Sequence, residues 1–190
     1  NRLTAAISTK TAEIAAPIDL LLRIIAAVPP TIFADRQAPW LYFYEDFLAA
    51  YDPELRKDAG AYYTPVPIVH AQVRLIDDLL RRRFGKPLGL ADSDVVTLDP
   101  GTGTGTYPLG VIEHALRRVE DIEGEGAVPG RATQLAKHLY GFELMVGPYA
   151  VAELRVSRAL RDQGAVLPAD GPHIYLTDTL ENPHTTVQQL

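Results

Sequence analysis

The stretch LDPGTGTGTY, residues 98–107, combines an acidic residue with alternating glycines and threonines. It follows the β-branched run DVVTLD, which predicts a buried strand, and precedes PLGVIEHALRRV, which has helical periodicity. Glycines at such a strand-to-helix turn let the backbone approach a ligand closely, and the helix N-terminus adds free N–H groups. A turn that binds no ligand fits the same pattern.

The residues of this glycine loop favour some classes of ligand and argue against others. A P-loop requires a lysine after its second glycine, and no lysine occurs between Gly101 and Ala136. The dinucleotide pattern G-x-G-x-x-G fails at its third glycine, which is replaced by Thr106 or Pro108 depending on where the pattern starts. Asp99 disfavours a pyrophosphate, because like charges repel, and favours an ammonium group or a hydroxyl. S-adenosylmethionine, an amino acid joined to a nucleoside, carries both.

The elements that must position this loop follow an α/β pattern. A helix is predicted for IVHAQVRLIDDLLRRRF, a second strand for KHLYGFEL, another helix for GPYAVAELRVSRALRDQG and a third strand for HIYLTD. The polar stretch DIEGEGAVPGR predicts a loop, and Asp77 and Asp78 are expected to lie in solvent. Alternating strands and helices predict a parallel sheet covered by helices.

The N-terminal part of the chain has a different character. Residues 1–58 show helical spacing and no strand signal, so we expect a helical segment there and a separate domain at 59–190. Because the first residue is Asn1, we also expect the chain to be a piece of a longer protein.

Composition excludes several classes of protein. The 190 residues include no cysteine, which excludes disulfide scaffolds and cysteine-based metal sites and fits a cytoplasmic protein. No apolar run approaches the roughly 20 residues of a membrane span. The five histidines lack metal-ligand spacing, so we expect no metal. A net charge of −6 argues against a chain that binds DNA alone.

Two motifs in the correct order resemble those of N6-adenine DNA methyltransferases. LDPGTGTGTY is similar to the family's Asp-Pro-x-x-Gly-x-Gly motif, and GAYYTP, one helix upstream, resembles its Tyr-Tyr-Thr-Pro segment. The longer stretch FLAAYDPELRKDAGAYYTPVPIV is similar to the methyltransferase part of large restriction–modification proteins of type ISP and of types I and IIG. The resemblance spans residues 45–181 and implies a Rossmann-like parallel sheet, incomplete here.

The resemblance also implies the residues that bind S-adenosylmethionine. The glycine loop would surround its methionine part, and the Tyr-Tyr-Thr-Pro segment would close over it, with the threonine holding the carboxylate. These residues are Tyr63, Thr64, Pro65, Asp99, Pro100, Gly101, Gly103 and Gly105. Gly101 stands where alanine is commoner in the family, which makes the loop more flexible.

The ends of the second and third predicted strands supply the remaining cofactor contacts that the resemblance implies. Glu143 would accept hydrogen bonds from the ribose hydroxyls, and Leu144 and Met145 would flank the adenine ring. Asp178, after the third strand, would accept a hydrogen bond from the adenine amino group.

The family's catalytic motif, Asn/Asp-Pro-Pro-Tyr/Phe, which holds a flipped target base, is missing from this chain. The dipeptides Pro29-Pro30 and Asn182-Pro183 have the wrong neighbours. We therefore expect no catalytic residue here, and methyl transfer to adenine only in the full-length protein. Double-stranded DNA would be bound by parts of the parent that are not present, and the resemblance allows nuclease, motor and target-recognition domains there.

Three other functions remain open at the level of the sequence. The glycine loop could serve a non-catalytic module that senses a nucleotide or cofactor. A nicotinamide oxidoreductase with an NAD-binding Rossmann domain would bind NAD instead. A helical interaction platform with an empty α/β core would bind no cofactor.

Overall fold

The structure is a computed structural model, and it describes residues 64–181. The predicted helical segment at 1–58, Tyr63 and the dipeptide Asn182-Pro183 lie outside the described residues. The division of the chain after residue 58 therefore stays a prediction.

The described residues contain a three-stranded parallel sheet, with strand order β1-β2-β3. The strands are β1 (Thr97–Asp99), β2 (Leu139–Glu143) and β3 (His173–Leu176). Asp99 pairs with Gly141, and Gly141 pairs with Ile174, so the carboxyl ends of all three strands lie at one edge of the sheet. This confirms the predicted partial α/β fold.

Four α-helices accompany the sheet in the described part of the chain. They are α1 (Val66–Phe84), α2 (Thr106–Glu123), α3 (Val128–His138) and α4 (Val146–Asp162). Helix α1 begins after Pro65. Pro65 favours extended backbone at Thr64, and Pro67 lies in the first helical turn, where the N–H that proline lacks would have no helical partner. It ends at Gly85, which has φ +64° and donates its N–H to the carbonyl of Leu80. None of the helices within 64–181 is long and apolar enough to cross a membrane.

Helix α3 corrects the prediction of a loop at residues 121–131. Helix α2 continues to Glu123, a 3₁₀ turn covers Glu125–Ala127, and α3 begins at Val128. Val128, Ala132 and Leu135 lie on one face of α3 and are buried in the core. Packing of this face outweighs the low helix propensity of a glycine-rich stretch.

The core lies on one face of the sheet. Along β2, Leu139, Gly141 and Glu143 are buried, whereas the side chains between them are only half-buried. Apolar side chains from all four helices pack on this buried face or on one another, namely Val69, Val73, Val111, Ile112, Ala115, Leu116, Val119, Val128, Ala132, Leu135, Ala136, Ala152, Val156 and Leu160. On the opposite face, the rings of Tyr140 and His173 stack with centroids 4.8 Å apart.

The acidic pair on α1 differs from the expectation. Asp78 is half-buried, but Asp77 is only 1% exposed, so the prediction that both lie in solvent was wrong. Asp77 Oδ1 accepts a hydrogen bond from Leu90 N at 3.0 Å, and Oδ2 accepts one from Arg81 Nε at 2.9 Å. His114 Nε2 of α2 lies 3.3 Å from the same carboxylate. Asp77 therefore ties α1 to α2 and to the turn that leads into β1.

Candidate functional site

The glycine loop leaves β1 at Asp99 and enters α2 at Thr106. Thr102 anchors it over the sheet: its N–H donates to the carbonyl of Phe142 at 2.8 Å, and its hydroxyl donates to the carbonyl of Asp99 at 3.0 Å. A tight turn follows, closed by Gly105 N–H to the Thr102 carbonyl at 2.9 Å. Gly103 (φ +57°) and Gly105 (φ +87°) adopt left-handed backbone, which explains the glycines there.

Gly101 differs from the other two loop glycines. Its φ is not positive, and a Cβ at this position would meet no atom within 4 Å. The backbone of this loop therefore requires glycine at 103 and 105 but tolerates a side chain at 101.

Gly141 in β2 is a second requirement of the loop, and sequence reasoning missed it. A Cβ there would lie 2.4 Å from Thr102 Oγ1 and 2.8 Å from Ile174 Cδ1. Because Gly141 has no side chain, Thr102 can lie directly against β2. A glycine inside a strand was the available signal, since such a residue often marks a close approach of another part of the chain.

Two carboxylates lie beneath the loop. Asp99 Oδ1 accepts a hydrogen bond from Gly101 N at 3.1 Å, whereas Oδ2 is buried without a hydrogen-bond partner. Burial raises the pKa of Asp99; the hydrogen bond from Gly101 opposes this, and the negative charge of Glu143 adds to it. Glu143 Oε2 accepts from Gly103 N and Oε1 from Met145 N, each at 2.8 Å. The arrangement favours a ligand that brings a positive charge or hydrogen-bond donors.

The segment after β3 is joined to the same edge of the sheet. Thr177 N donates to the carbonyl of Glu143 at 2.9 Å, and the Thr179 hydroxyl donates to the carbonyl of Pro100 at 2.6 Å. Between them, Asp178 Oδ1 accepts a hydrogen bond from Leu180 N at 2.8 Å. Asp178 thus caps a local turn at the strand end, within the segment that is bonded to the glycine loop.

The structure brings together most of the residues predicted to bind a cofactor. Those at the carboxyl ends of the three strands, or in the loop that follows β1, are Asp99, Pro100, Gly101, Gly103, Gly105, Glu143, Leu144 and Asp178. Leu144 is 57% exposed and leaves an apolar surface beside Glu143. Thr64 and Pro65 immediately precede α1, which packs against α2, and their closure over a cofactor stays a prediction. Tyr63 lies outside the described residues.

The family of the chain follows from its sequence. Residues 42–190 match the N-6 DNA Methylase family. The chain belongs to this family. The strand-end acids and the glycine loop described above therefore belong to a member of the N-6 DNA methylase family.

Solved structures that resemble this methylase chain include the DrdV–DNA complex and two type ISP restriction-modification enzymes. The chain is 30% identical to a protein in the cryo-EM structure of the DrdV–DNA complex, with a TM-score of 0.56, covering 72% of this chain and 12% of that one. It is 29% identical to the ATP-dependent type ISP restriction-modification enzyme LlaBIII bound to DNA, with a TM-score of 0.52 and coverage of 61% and 8%.

A third structure is a nuclease-deletion mutant of the type ISP enzyme LlaGI in complex with a DNA substrate mimic. It is 25% identical to the methylase chain, with a TM-score of 0.52 and coverage of 71% and 11%. The chain thus spans only about a tenth of the length of these proteins. Comparison with curated proteins gives no significant match.

A further contact in the methylase loop comes from α4 and was not anticipated from the sequence. Arg155 Nη1 donates a hydrogen bond to the carbonyl of Thr104 at 2.7 Å and lies 3.3 Å from the hydroxyl oxygen of the same residue. The two residues are 51 positions apart in the chain, so no local sequence pattern connects them.

Proposed function

We propose that this chain is the S-adenosylmethionine-binding portion of a site-specific DNA adenine-N6 methyltransferase from a restriction–modification system. The observation that carries the proposal is the buried, unpartnered Oδ2 of Asp99 beside Glu143, at the end of the glycine loop. Membership of the N-6 DNA Methylase family supports it independently.

The residues present fit this cofactor. An ammonium group placed at Asp99 Oδ2 would supply the missing hydrogen bond and offset the repulsion between the two carboxylates. Each oxygen of Glu143 accepts one backbone hydrogen bond and keeps a lone pair for a ribose hydroxyl. Asp178 accepts a hydrogen bond from Leu180 N through Oδ1, which leaves acceptor capacity for an adenine amino group. Leu144 would contact the adenine ring.

S-adenosylmethionine, when bound, supplies an electrophilic methyl group on a sulfonium. The work of this chain is to bind and orient it: the loop backbone fixes the amino-acid end, and the strand-end acids fix the nucleoside. Such positioning lowers the barrier by presenting the methyl group in a near-attack geometry. In our proposal, the Asn-Pro-Pro-Tyr-type motif that holds the target adenine belongs to the parent protein, and this chain alone is inactive.

The partners proposed for the parent rest on the similar proteins. DrdV, LlaBIII and LlaGI are each seen with DNA or a DNA mimic, LlaBIII is ATP-dependent, and the LlaGI structure lacks a nuclease. We propose that the parent protein likewise binds double-stranded DNA and carries nuclease, motor and target-recognition domains. A cytoplasmic location, proposed from the cysteine-free sequence, agrees with this role.

The test is a calorimetric titration of the 190-residue chain with S-adenosylmethionine, S-adenosylhomocysteine and NAD. We expect binding of the two adenosyl ligands and none of NAD. Asp99→Ala should weaken binding of S-adenosylmethionine at least about tenfold, because a hydrogen bond to a charged group contributes about 1.5–3 kcal/mol. Asp121→Ala, which removes an exposed carboxylate from α2, is the matched control and should bind like the unchanged chain.

Preference for NAD would replace the proposal with an oxidoreductase. Absence of binding to this chain would call for the same titration of the parent protein. If the parent also bound neither adenosyl ligand, the proposed function would be wrong.

A further inference from the structure

The central turn of the glycine loop contains a backbone carbonyl that helix α2 leaves without a partner. Thr104 is 0% exposed and lies between two glycines with left-handed backbone, Gly103 and Gly105. The carbonyl of Gly105 accepts the first helical hydrogen bond, from Leu109 N at 3.0 Å. For the Thr104 carbonyl, the corresponding donor would be residue 108, which is a proline and has no N–H.

Arg155 supplies the missing donor. Its Nη1 lies 2.7 Å from the Thr104 carbonyl oxygen and 3.3 Å from the Thr104 hydroxyl oxygen. A buried carbonyl without a partner is costly, and a hydrogen bond from a guanidinium is stronger than one from a neutral donor. Arg155 therefore compensates for the backbone N–H that Pro108 lacks.

Helix α4 holds Arg155 in this position by packing directly against the loop. A Cβ on Gly105 would lie 3.4 Å from the Cα and Cβ of Ala152 and from Val156 Cγ2. Ala152 and Val156 are buried, and residues three and four apart share one face of a helix. Ala152, Arg155 and Val156 thus form one face of α4, which supports the loop from the side of the core.

We propose that Arg155 is a positioning residue of the cofactor site. It acts through Thr104, and it holds Gly103 and Gly105 in the left-handed conformations that shape the loop at the cofactor site. The part of this inference that concerns ligand affinity rests on the proposed binding of S-adenosylmethionine, whereas the part that concerns the loop does not.

The test compares Arg155→Met, which keeps the aliphatic stem, with Arg158→Met on the same helix. Arg158 has an 81% exposed side chain and a 3.6 Å ion pair with Asp162, so its replacement controls for the loss of one positive charge. Hydrogen exchange in the ligand-free 190-residue chain reports on the loop. We expect the amides of Gly103 and Gly105 to exchange about tenfold faster in Arg155→Met, and the amide of Leu135 in α3 to be unchanged.

Titration with S-adenosylmethionine gives the second readout. We expect the dissociation constant to rise about tenfold in Arg155→Met and to be unchanged in Arg158→Met. Arg155→Lys keeps the charge and a donor, so it should recover part of both effects. It also serves as the test variant if Arg155→Met does not fold.

The proposal is overturned if exchange at Gly103 and Gly105 is unchanged, or if it rises equally at Leu135, since a uniform change would indicate a role in overall stability alone. Faster exchange confined to the loop, in a chain that binds no S-adenosylmethionine, would support the positioning of the loop. The same result would count against the proposed cofactor.

Discussion

Gly141→Ala is the substitution for which the structure predicts the sharpest effect. The added Cβ would lie 2.4 Å from Thr102 Oγ1, 3.2 Å from Thr102 Cγ2 and 2.8 Å from Ile174 Cδ1. The isoleucine methyl group can rotate away. Thr102 cannot move freely, because its N–H is bonded to the Phe142 carbonyl and its hydroxyl to the Asp99 carbonyl. The glycine loop must therefore lift off β2.

The size of the effect follows from these contacts. Overpacking a core position costs about 1–3 kcal/mol, and each hydrogen bond lost by Thr102 adds about 0.5–1.5 kcal/mol. We expect the free energy of unfolding to fall by about 2–4 kcal/mol. For a chain of this length, that corresponds to a decrease in Tm of about 4–16 °C.

Thermal unfolding followed by circular dichroism, with a parallel titration of S-adenosylmethionine, measures both consequences. We expect Gly141→Ala to lower Tm and to weaken binding, because the displaced loop no longer presents Gly103 to Glu143. Gly130→Ala in α3 is the control: a Cβ there meets no atom within 4 Å, so the variant should keep or raise Tm by virtue of helix propensity. An unchanged Tm and affinity in Gly141→Ala would refute the packing argument.

Two further predictions concern buried carboxylates. Asp99→Asn keeps an acceptor for Gly101 N–H but removes the buried charge beside Glu143. Because folding raises the pKa of Asp99 above 3.8, the ionised group opposes folding at neutral pH and ceases to do so as the pH falls through the raised pKa. Asp99→Asn should therefore raise the free energy of unfolding of the ligand-free chain at pH 7. Denaturant titrations should show this increase becoming smaller towards acid pH. An increase that does not depend on pH would contradict the prediction. Asp77→Ala should lower the free energy of unfolding by about 3 kcal/mol, because it leaves buried donors unpaired. The control, Asp78→Ala, should lower it by less than about 1 kcal/mol. Similar urea midpoints for the two variants would be inconsistent with the buried role of Asp77.

Features that depend on local sequence were predictable. Helical periodicity located α1, α2 and α4, and short apolar runs before turns located the three strands. The left-handed conformations of Gly103 and Gly105 follow from the same local logic, because few other residues adopt them. Parallel order then brought Asp99, Glu143 and the segment after β3 to one edge of the sheet.

Features that depend on which elements meet were decided only by the tertiary structure. From the sequence, Asp77 is predicted to be a solvent-exposed helix residue. Its burial became evident only in the structure, where His114 and Leu90 lie beside it. Helix α3 forms in a glycine-rich stretch because its apolar face is buried in the core.

The same holds for the support of the glycine loop. Gly141 and Arg155 lie 39 and 51 residues from the loop residues that they contact, Thr102 and Thr104. Turn chemistry and periodicity act over a few neighbouring residues, so local sequence was enough to determine that a glycine loop would follow β1. The packing of β2 and α4 against that loop decided its height above the sheet and which donor satisfies its buried carbonyl.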